Sequence, residues 1–268
     1  MPTIKVNGVE LFYEESGGGP QTIVFSHGLL MDHTMFEAQR AAFARRYRVI
    51  AYDHRGQGQS PYSGPDLDME TLTEDAGALI TALNAAPCHF AGLSMGGFVG
   101  MRLAARHRQL VRSLTLMNTG AQKEETLSRL KYAFLAKLVK LVGTGPFTGI
   151  AAKELFGKST RTSTNPAKQA MLKEWTAKLA SRPKNTAGAL MGVMNRNEVS
   201  AAELAAIRCP TLIITGEEDT AQPPFRSERV AAAIAGSKLA RIPACGHSSS
   251  LEAPDAVIKA MQELMASA

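Results

Sequence analysis

The sequence predicts an α/β fold: a mostly parallel, twisted sheet with helices on both faces and an inserted helical segment. Three observations carry this expectation. Short apolar or β-branched runs at 22–26, 48–52, 89–91, 114–118, 211–215 and 238–242 alternate with amphipathic stretches of helix length, the rhythm of a parallel sheet with helical crossovers. That rhythm is interrupted once, between 120 and 207, where only helical periodicity appears. The strand-like run at 89–91 also meets a helix-like run at 98–107 through Gly92-Leu93-Ser94-Met95-Gly96-Gly97, a junction too tight for side chains on either side of the serine.

In chain order, residues 4–6 and 9–15 alternate about Asn7-Gly8, a two-residue hairpin signal. Gly17-Gly18-Gly19-Pro20 then turns the chain into the buried run 22–26, which stops at His27-Gly28-Leu29. Residues 36–46 have helical apolar spacing. The strand at 48–52 runs into Asp53-His54-Arg55-Gly56-Gln57-Gly58-Gln59-Ser60, where Asp53 and Arg55 are expected to tie loops together. A helix over 72–83 precedes the strand that delivers Ser94. Inside the interruption, Leu127, Leu130, Phe134, Leu138 and Leu141 recur at helical spacing, as do Met171, Leu172, Trp175 and Leu179. Both stripes are expected mainly to pack inward. Gly143-Thr144-Gly145-Pro146, Asn165-Pro166 and Ser181-Arg182-Pro183 separate the helices. The α/β rhythm returns with the strand at 211–215, a helix over 226–235, the strand at 238–242 and a last helix over 254–265. The expected organisation is a core of residues 1–120 and 207–268 with a helical cap, or lid, over 121–206.

At 268 residues, 45% hydrophobic and 20% charged, the chain has the composition of an ordinary globular domain. No apolar run reaches the roughly 18 residues of a membrane span, and residues 1–15 lack the basic and apolar regions of a secretory signal, so the expected compartment is the cytoplasm. Cys88, Cys209 and Cys245 are an odd number without metal-ligand spacing, and read as free thiols. The net charge of +6 is concentrated: residues 121–200 hold ten Lys and four Arg against five Glu, leaving the rest net negative. Lysines at helical spacing describe a solvated face more simply than a nucleic-acid footprint. Neither nucleic acid nor a membrane is expected as a partner; a homodimer is compatible with the sequence.

Ser94, Asp219 and His247 each stand just beyond a predicted strand, the edge where open α/β sheets form sites. A serine hydroxyl needs a base to attack a carbonyl. His247 would take its proton and return it to the leaving group, and Asp219 would fix the imidazole's tautomer. Glu217 and Glu218 compete with Asp219, which sits further into the loop. An alkoxide forming on the substrate needs donors, and the backbone N–H groups of Met95 and Leu29 are the candidates for an oxyanion hole. His27 is expected to brace its loop, and Cys245 to be a small packing residue. Phe36, Phe134, Trp175 and Met191 are the apolar side chains expected to bind substrate. No metal and no cofactor is implied.

The landmarks His27-Gly28, Asp53-x-Arg55-Gly56-x-Gly58-x-Ser60, Gly92-x-Ser94-x-Gly96, Gly216-x-x-Asp219 and Gly246-His247 occur in the order found in the α/β-hydrolase superfamily, which the chain resembles over essentially its whole length. Gly92-Leu93-Ser94-Met95-Gly96-Gly97, with Gly216-Glu217-Glu218-Asp219 and Pro223-Pro224, is similar to 3-oxoadipate enol-lactonases and related small-molecule esterases. Gln57, where a His often follows Arg-Gly, and Phe36, where a Trp is frequent, depart from that narrower pattern. The resemblance implies a cofactor-independent serine hydrolase acting on small esters or lactones. Serine at the elbow argues against the aspartate-dependent haloalkane dehalogenases and epoxide hydrolases. A cofactor-free haloperoxidase or perhydrolase uses the same three residues, and a ligand receptor on a hydrolase scaffold, as in some plant hormone receptors, is the rival that would bind without turnover.

Overall fold

Asn7 and Gly8 take φ values of 45° and 75° and turn β1 (Thr3–Val6) back into β2 (Val9–Ser16). They begin a computed structural model that describes residues 2–61, 64 and 67–268; Met1, Tyr62, Ser63, Pro65 and Asp66 lie outside the described residues. The remaining strands are β3 (Thr22–Ser26), β4 (Arg48–Tyr52), β5 (Cys88–Leu93), β6 (Val111–Met117), β7 (Thr211–Gly216) and β8 (Lys238–Ile242). All eight form one sheet in the order β1-β2-β4-β3-β5-β6-β7-β8. β2 pairs antiparallel with β1 and β4, and every pairing from β4 to β8 is parallel. From β3 the chain goes first to β4 on one side and later to β5 on the other, so the strand order reverses between β3 and β5. That reversal opens a crevice at the carboxyl edge.

The central strands are buried on both faces, which is why they read as unbroken apolar runs. Alternate residues sort cleanly: Val24, Ile50, Phe90, Leu114 and Ile213 face one core, and Ile23, Phe25, Val49, Ala91 and Ile214 the other. The first core is closed by α2 (Met69–Ala82), α3 (Met95–Arg106) and α10 (Pro224–Ala233), the second by α1 (Glu37–Phe43) and α12 (Pro254–Met265). Where the spacing predicts one helix over 36–46, the chain makes a 3-10 turn at His33–Phe36 before α1. Asp32 caps that turn by accepting from the Thr34 N–H.

Between β6 and β7 lie α4 (Thr126–Val142), α5 (Thr148–Leu155), α6 (Lys158–Arg161), α7 (Pro166–Ala180), α8 (Thr186–Met194) and α9 (Ala201–Ala206), with α11 (Ser249–Glu252) following β8. The α7 stripe turns inward, with Trp175 and Leu179 each 2% exposed. The α4 stripe does the opposite of what its spacing suggests. Leu127, Leu130, Phe134 and Leu141 are 64–79% exposed, while Tyr132, Leu135, Ala136 and Val139 pack inward beside α8. The inward residues also recur at helical spacing. Periodicity tells which residues share a face, whereas the neighbouring helix decides which face is covered.

Candidate active site

Ser94 sits between β5 and α3 with φ 53° and ψ −108°, a conformation that costs about 1–3 kcal/mol for a residue with a side chain. The surroundings enforce it. Ser94 N–H donates to Met117 O at 2.8 Å, and Ser94 O accepts from Thr119 Oγ1 at 2.9 Å. A Cβ on Gly92 would stand 2.2 Å from Gly96 O, and one on Gly96 2.1 Å from Ser26 O. Both contacts are with backbone, so only glycine lets the strand, the turn and the helix come this close.

Asp219 and His247 are brought together. The His247 ring nitrogen Nδ1 lies 3.0 and 2.9 Å from the two Asp219 carboxylate oxygens. A carboxylate only accepts, so Nδ1 carries the proton and Nε2 of the neutral ring is left as an acceptor. Burial alone would lower the imidazole's pKa, but the charge of Asp219 and its hydrogen bond hold it above the ordinary histidine value. Asp219 is itself fixed by Gln222 N–H on Oδ1 at 2.8 Å and by Asn118 Nδ2 on Oδ2 at 2.9 Å. Its two rivals do other things: Glu217 is exposed, and Glu218 accepts from Ser159 N–H at 2.7 Å and from its hydroxyl.

Ser94 and His247 line one cavity of about 340 Å³. Ser94 Oγ makes no hydrogen bond to His247 among the described residues; such bonds are often long in a free enzyme and tighten around substrate. Gly28 and Leu29 at the end of β3 line the same cavity. The Leu29 N–H has no acceptor among the described residues. Met95 opens α3, so its N–H has no intrahelical partner. The Leu29 loop is held by Gln57, whose Oε1 accepts from Leu30 N–H at 3.1 Å while its Nε2 reaches Met95 Sδ at 3.4 Å.

The four apolar residues expected at the pocket are placed elsewhere. Phe36 is fully buried against Phe25, with ring centroids 4.7 Å apart, because the 3-10 turn before α1 points it into the core. Phe134 lies on the outer face of α4 and is 65% exposed. Trp175 packs against the second core under Lys178, whose Nζ lies 4.4 Å from the ring centroid. Met191 is partly buried against the first core, outside the cavity lining. The apolar walls come instead from Phe98 behind the elbow and from Tyr132, Leu135, Val139, Leu179 and Leu190 of the inserted helices.

Sequence reasoning also passed over three supporting residues. Asn118 reads as the end of a strand, yet its φ of 50° turns Nδ2 onto Asp219 and onto Gly246 O at 3.0 Å. Gln57 reads as a departure from a family pattern and proves to be a loop tie. Glu252, 4% exposed, accepts from Gly246 N–H and Ser248 N–H on either side of His247, at 3.1 Å each, and from Gly157 N–H at 2.9 Å. An acidic residue just before Pro254 was the one available signal. His27 braces its loop as the sequence suggests: Nε2 accepts from His54 N–H at 3.0 Å, so Nδ1 donates to Gly28 O at 2.8 Å, and burial keeps the ring neutral. Asp53 receives His33 N–H and Gln59 N–H, at 2.7 and 2.8 Å, and Arg55 pairs with Asp75 at 2.6 Å. Cys245 is fully buried, and burial pushes its thiol pKa up, the reverse of what a nucleophile needs.

A sheet of this topology, with a strained serine after its central strand β5, a carboxylate after β7 and the histidine it holds after β8, defines a class of hydrolases. The chain belongs to that class: residues 21–254 match the family model described as alpha/beta hydrolase fold. Among its relatives, the provisionally named carbamate hydrolase RutD of Azorhizobium caulinodans is 31% identical over 95% of this chain and 94% of its own length. A thermophilic esterase from Thermogutta terrifontis, solved with malate bound, superposes with a TM-score of 0.91 at 28% identity, covering 100% of this chain and 99% of that one. The enol-lactonase of Burkholderia xenovorans LB400 gives 0.89 at 29% identity, over 99% of this chain and 100% of its own.

Proposed function

We propose that this α/β-hydrolase cleaves carboxylic esters or lactones of small molecules through an acyl-enzyme on Ser94, without a cofactor. The observation that carries the reading is the His247–Asp219 hydrogen bond at the wall of the cavity that also exposes Ser94. His247 Nε2 takes the Ser94 proton as Oγ bonds to the substrate carbonyl carbon, and Asp219 stabilises the imidazolium. The tetrahedral oxyanion is received by the Leu29 and Met95 N–H groups. The carbonyl re-forms as the C–O bond to the alcohol breaks, and His247 returns the proton to the leaving oxygen. Water then repeats the sequence on the acyl group and frees Ser94. For a lactone the leaving alcohol stays tethered to the acyl chain, and the product is a hydroxy acid.

In this reading residues 121–206 are a cap whose inner surface sets the size and polarity of the substrate. A cavity of about 340 Å³ with mainly apolar walls suits a small molecule. Three free thiols agree with a cytoplasmic setting. The test is intact-protein mass after treatment with a fluorophosphonate, together with turnover of short-chain p-nitrophenyl esters, simple lactones and carbamates. A single adduct on Ser94 is expected. The Ser94→Ala variant should lose that adduct and at least about 10³-fold in kcat. An unchanged rate in that variant rejects the mechanism, and tight ligand binding without turnover in the wild type replaces it with a receptor.

A further inference from the structure

The outer face of α4 is the least expected surface of the molecule. Leu127, Leu130, Phe134 and Leu141 form a row along it, and Val142 and, past the turn at Gly143, Ile150 of α5 are exposed as well. All six are more than half exposed, and nothing among the described residues covers them. Single exposed leucines are ordinary, whereas a contiguous row marks a surface that meets something apolar.

The charges beside the row say what that partner is. Arg129, Lys131, Lys137 and Lys140 lie on the same helix, which carries no Asp or Glu. None of the four enters an ion pair among the described residues: Arg129 donates to Asn195 Oδ1, and Lys131 lies over the Tyr132 ring. Of the nearby carboxylates, that of Glu125, the exposed N-cap residue, is left without a partner among the described residues. Glu124 is paired with Arg196 and Arg226, and Glu154 faces the cavity. A second copy of this helix would match the apolar row but set four basic residues against four, with one Glu125 from each copy to meet them. An anionic amphiphile satisfies both features at once.

We infer that α4 docks this protein in the plane of an anionic lipid–water interface, with the leucine row in the acyl boundary and the lysines at the headgroup phosphates. No helix among the described residues is long and apolar enough to cross a membrane, and a helix that lies on a surface needs no span. The sequence-based expectation of no membrane partner rests on that missing span, so it does not bear on this face. The geometry also gives the docking a direction. Ile150 is itself exposed and stands in the cavity wall, and Lys131, Tyr132 and Leu135 reach the same cavity from α4. The mouth of the site therefore opens beside the docked surface.

The test is cosedimentation with vesicles of phosphatidylcholine alone or mixed with phosphatidylglycerol, a readout that involves no turnover and stands apart from the hydrolase reading. The wild type is expected to sediment with the mixed vesicles only, and to be released by salt. Leu130→Gln with Leu141→Gln, and separately Lys137→Glu with Lys140→Glu, should each weaken partitioning by about tenfold or more. None of these residues lines the cavity, so rates on water-soluble esters should stay unchanged and report an intact fold. Failure to sediment with either vesicle overturns the inference, as does equal binding to neutral vesicles or wild-type binding by the leucine variant. A dimer in solution that the leucine variant dissociates assigns the face to a second copy and overturns it as well.

Discussion

The sheet and the helices inserted after β6 are both built from periodic apolar sequence, yet they hold it in place differently. In the sheet, the strands β3 to β7 are paired on both sides, so alternation leaves a side chain only two places to go, and both are core. In the insertion each helix satisfies its own backbone, so rotation about its axis is set by whatever side chains lie next to it. The sheet therefore fixes Ser94, Asp219 and His247 tightly, while the insertion can expose a leucine row on α4 without breaking a hydrogen bond. Precision for chemistry and freedom for partners are divided between the two regions.

Three experiments would sharpen or break this contrast. The largest effect should come from the sheet edge. Asp219→Asn is expected to lower kcat by about 10³–10⁴-fold, because the amide no longer fixes the imidazole tautomer. The carboxylate holds the His247 pKa up, so wild-type kcat/KM should fall as pH drops through a value above that of an ordinary histidine. In the variant that acid limb should move to lower pH. A limb that stays in place would detach Asp219 from His247.

The next effect compares equal substitutions in the two regions. Leu114→Ala, in a fully buried strand position, should cost about 2–5 kcal/mol in denaturant unfolding. Leu130→Ala, on the exposed face of α4, should stay within about 0.5 kcal/mol. Similar losses at both sites would mean that the α4 row is covered in solution.

The smallest effect lies at the seam. Arg182, before α8, donates to Leu30 O at 2.8 Å and to Asp32 Oδ2 at 2.7 Å. Burial alone would raise the Asp32 pKa, but the Thr34 hydrogen bonds and the Arg182 guanidinium bring it down to about 2. A folded value below the unfolded one stabilises the protein above the unfolded pKa near 4, and that contribution disappears as pH falls towards 2. It should amount to about 2 kcal/mol. Asp32→Asn is expected to flatten stability over this window, and an unaltered pH profile would show that the seam contributes nothing.

The strands were legible because β-branched runs bounded by glycine and polar residues have few other solutions, and β8 and α12 fall where their spacing places them. The serine turn was legible because its glycines answer a steric demand that the sequence states openly. The pocket walls were not, since Phe36 and Trp175 are apolar residues at helical spacing whichever side they pack on. Asn118, Gln57 and Glu252 were hidden for another reason. Each acts by hydrogen-bonding backbone or a carboxylate far away in sequence, and a lone polar residue carries no mark of its distant partner.

The Glu252 carboxylate gathers N–H groups from Gly246 and Ser248, beside the histidine, and from Gly157, at the corner between α5 and α6. Ser248 N–H also reaches Leu155 O at 3.0 Å. The loop that carries His247 and the roof over the pocket are thus riveted at one point. Variation among descendants of this chain is consequently channelled: α4, α7 and α8 can drift and reshape the pocket one side chain at a time. The α5–α6 corner cannot move without taking His247 with it, so new specificities should arise around that corner and leave it unaltered.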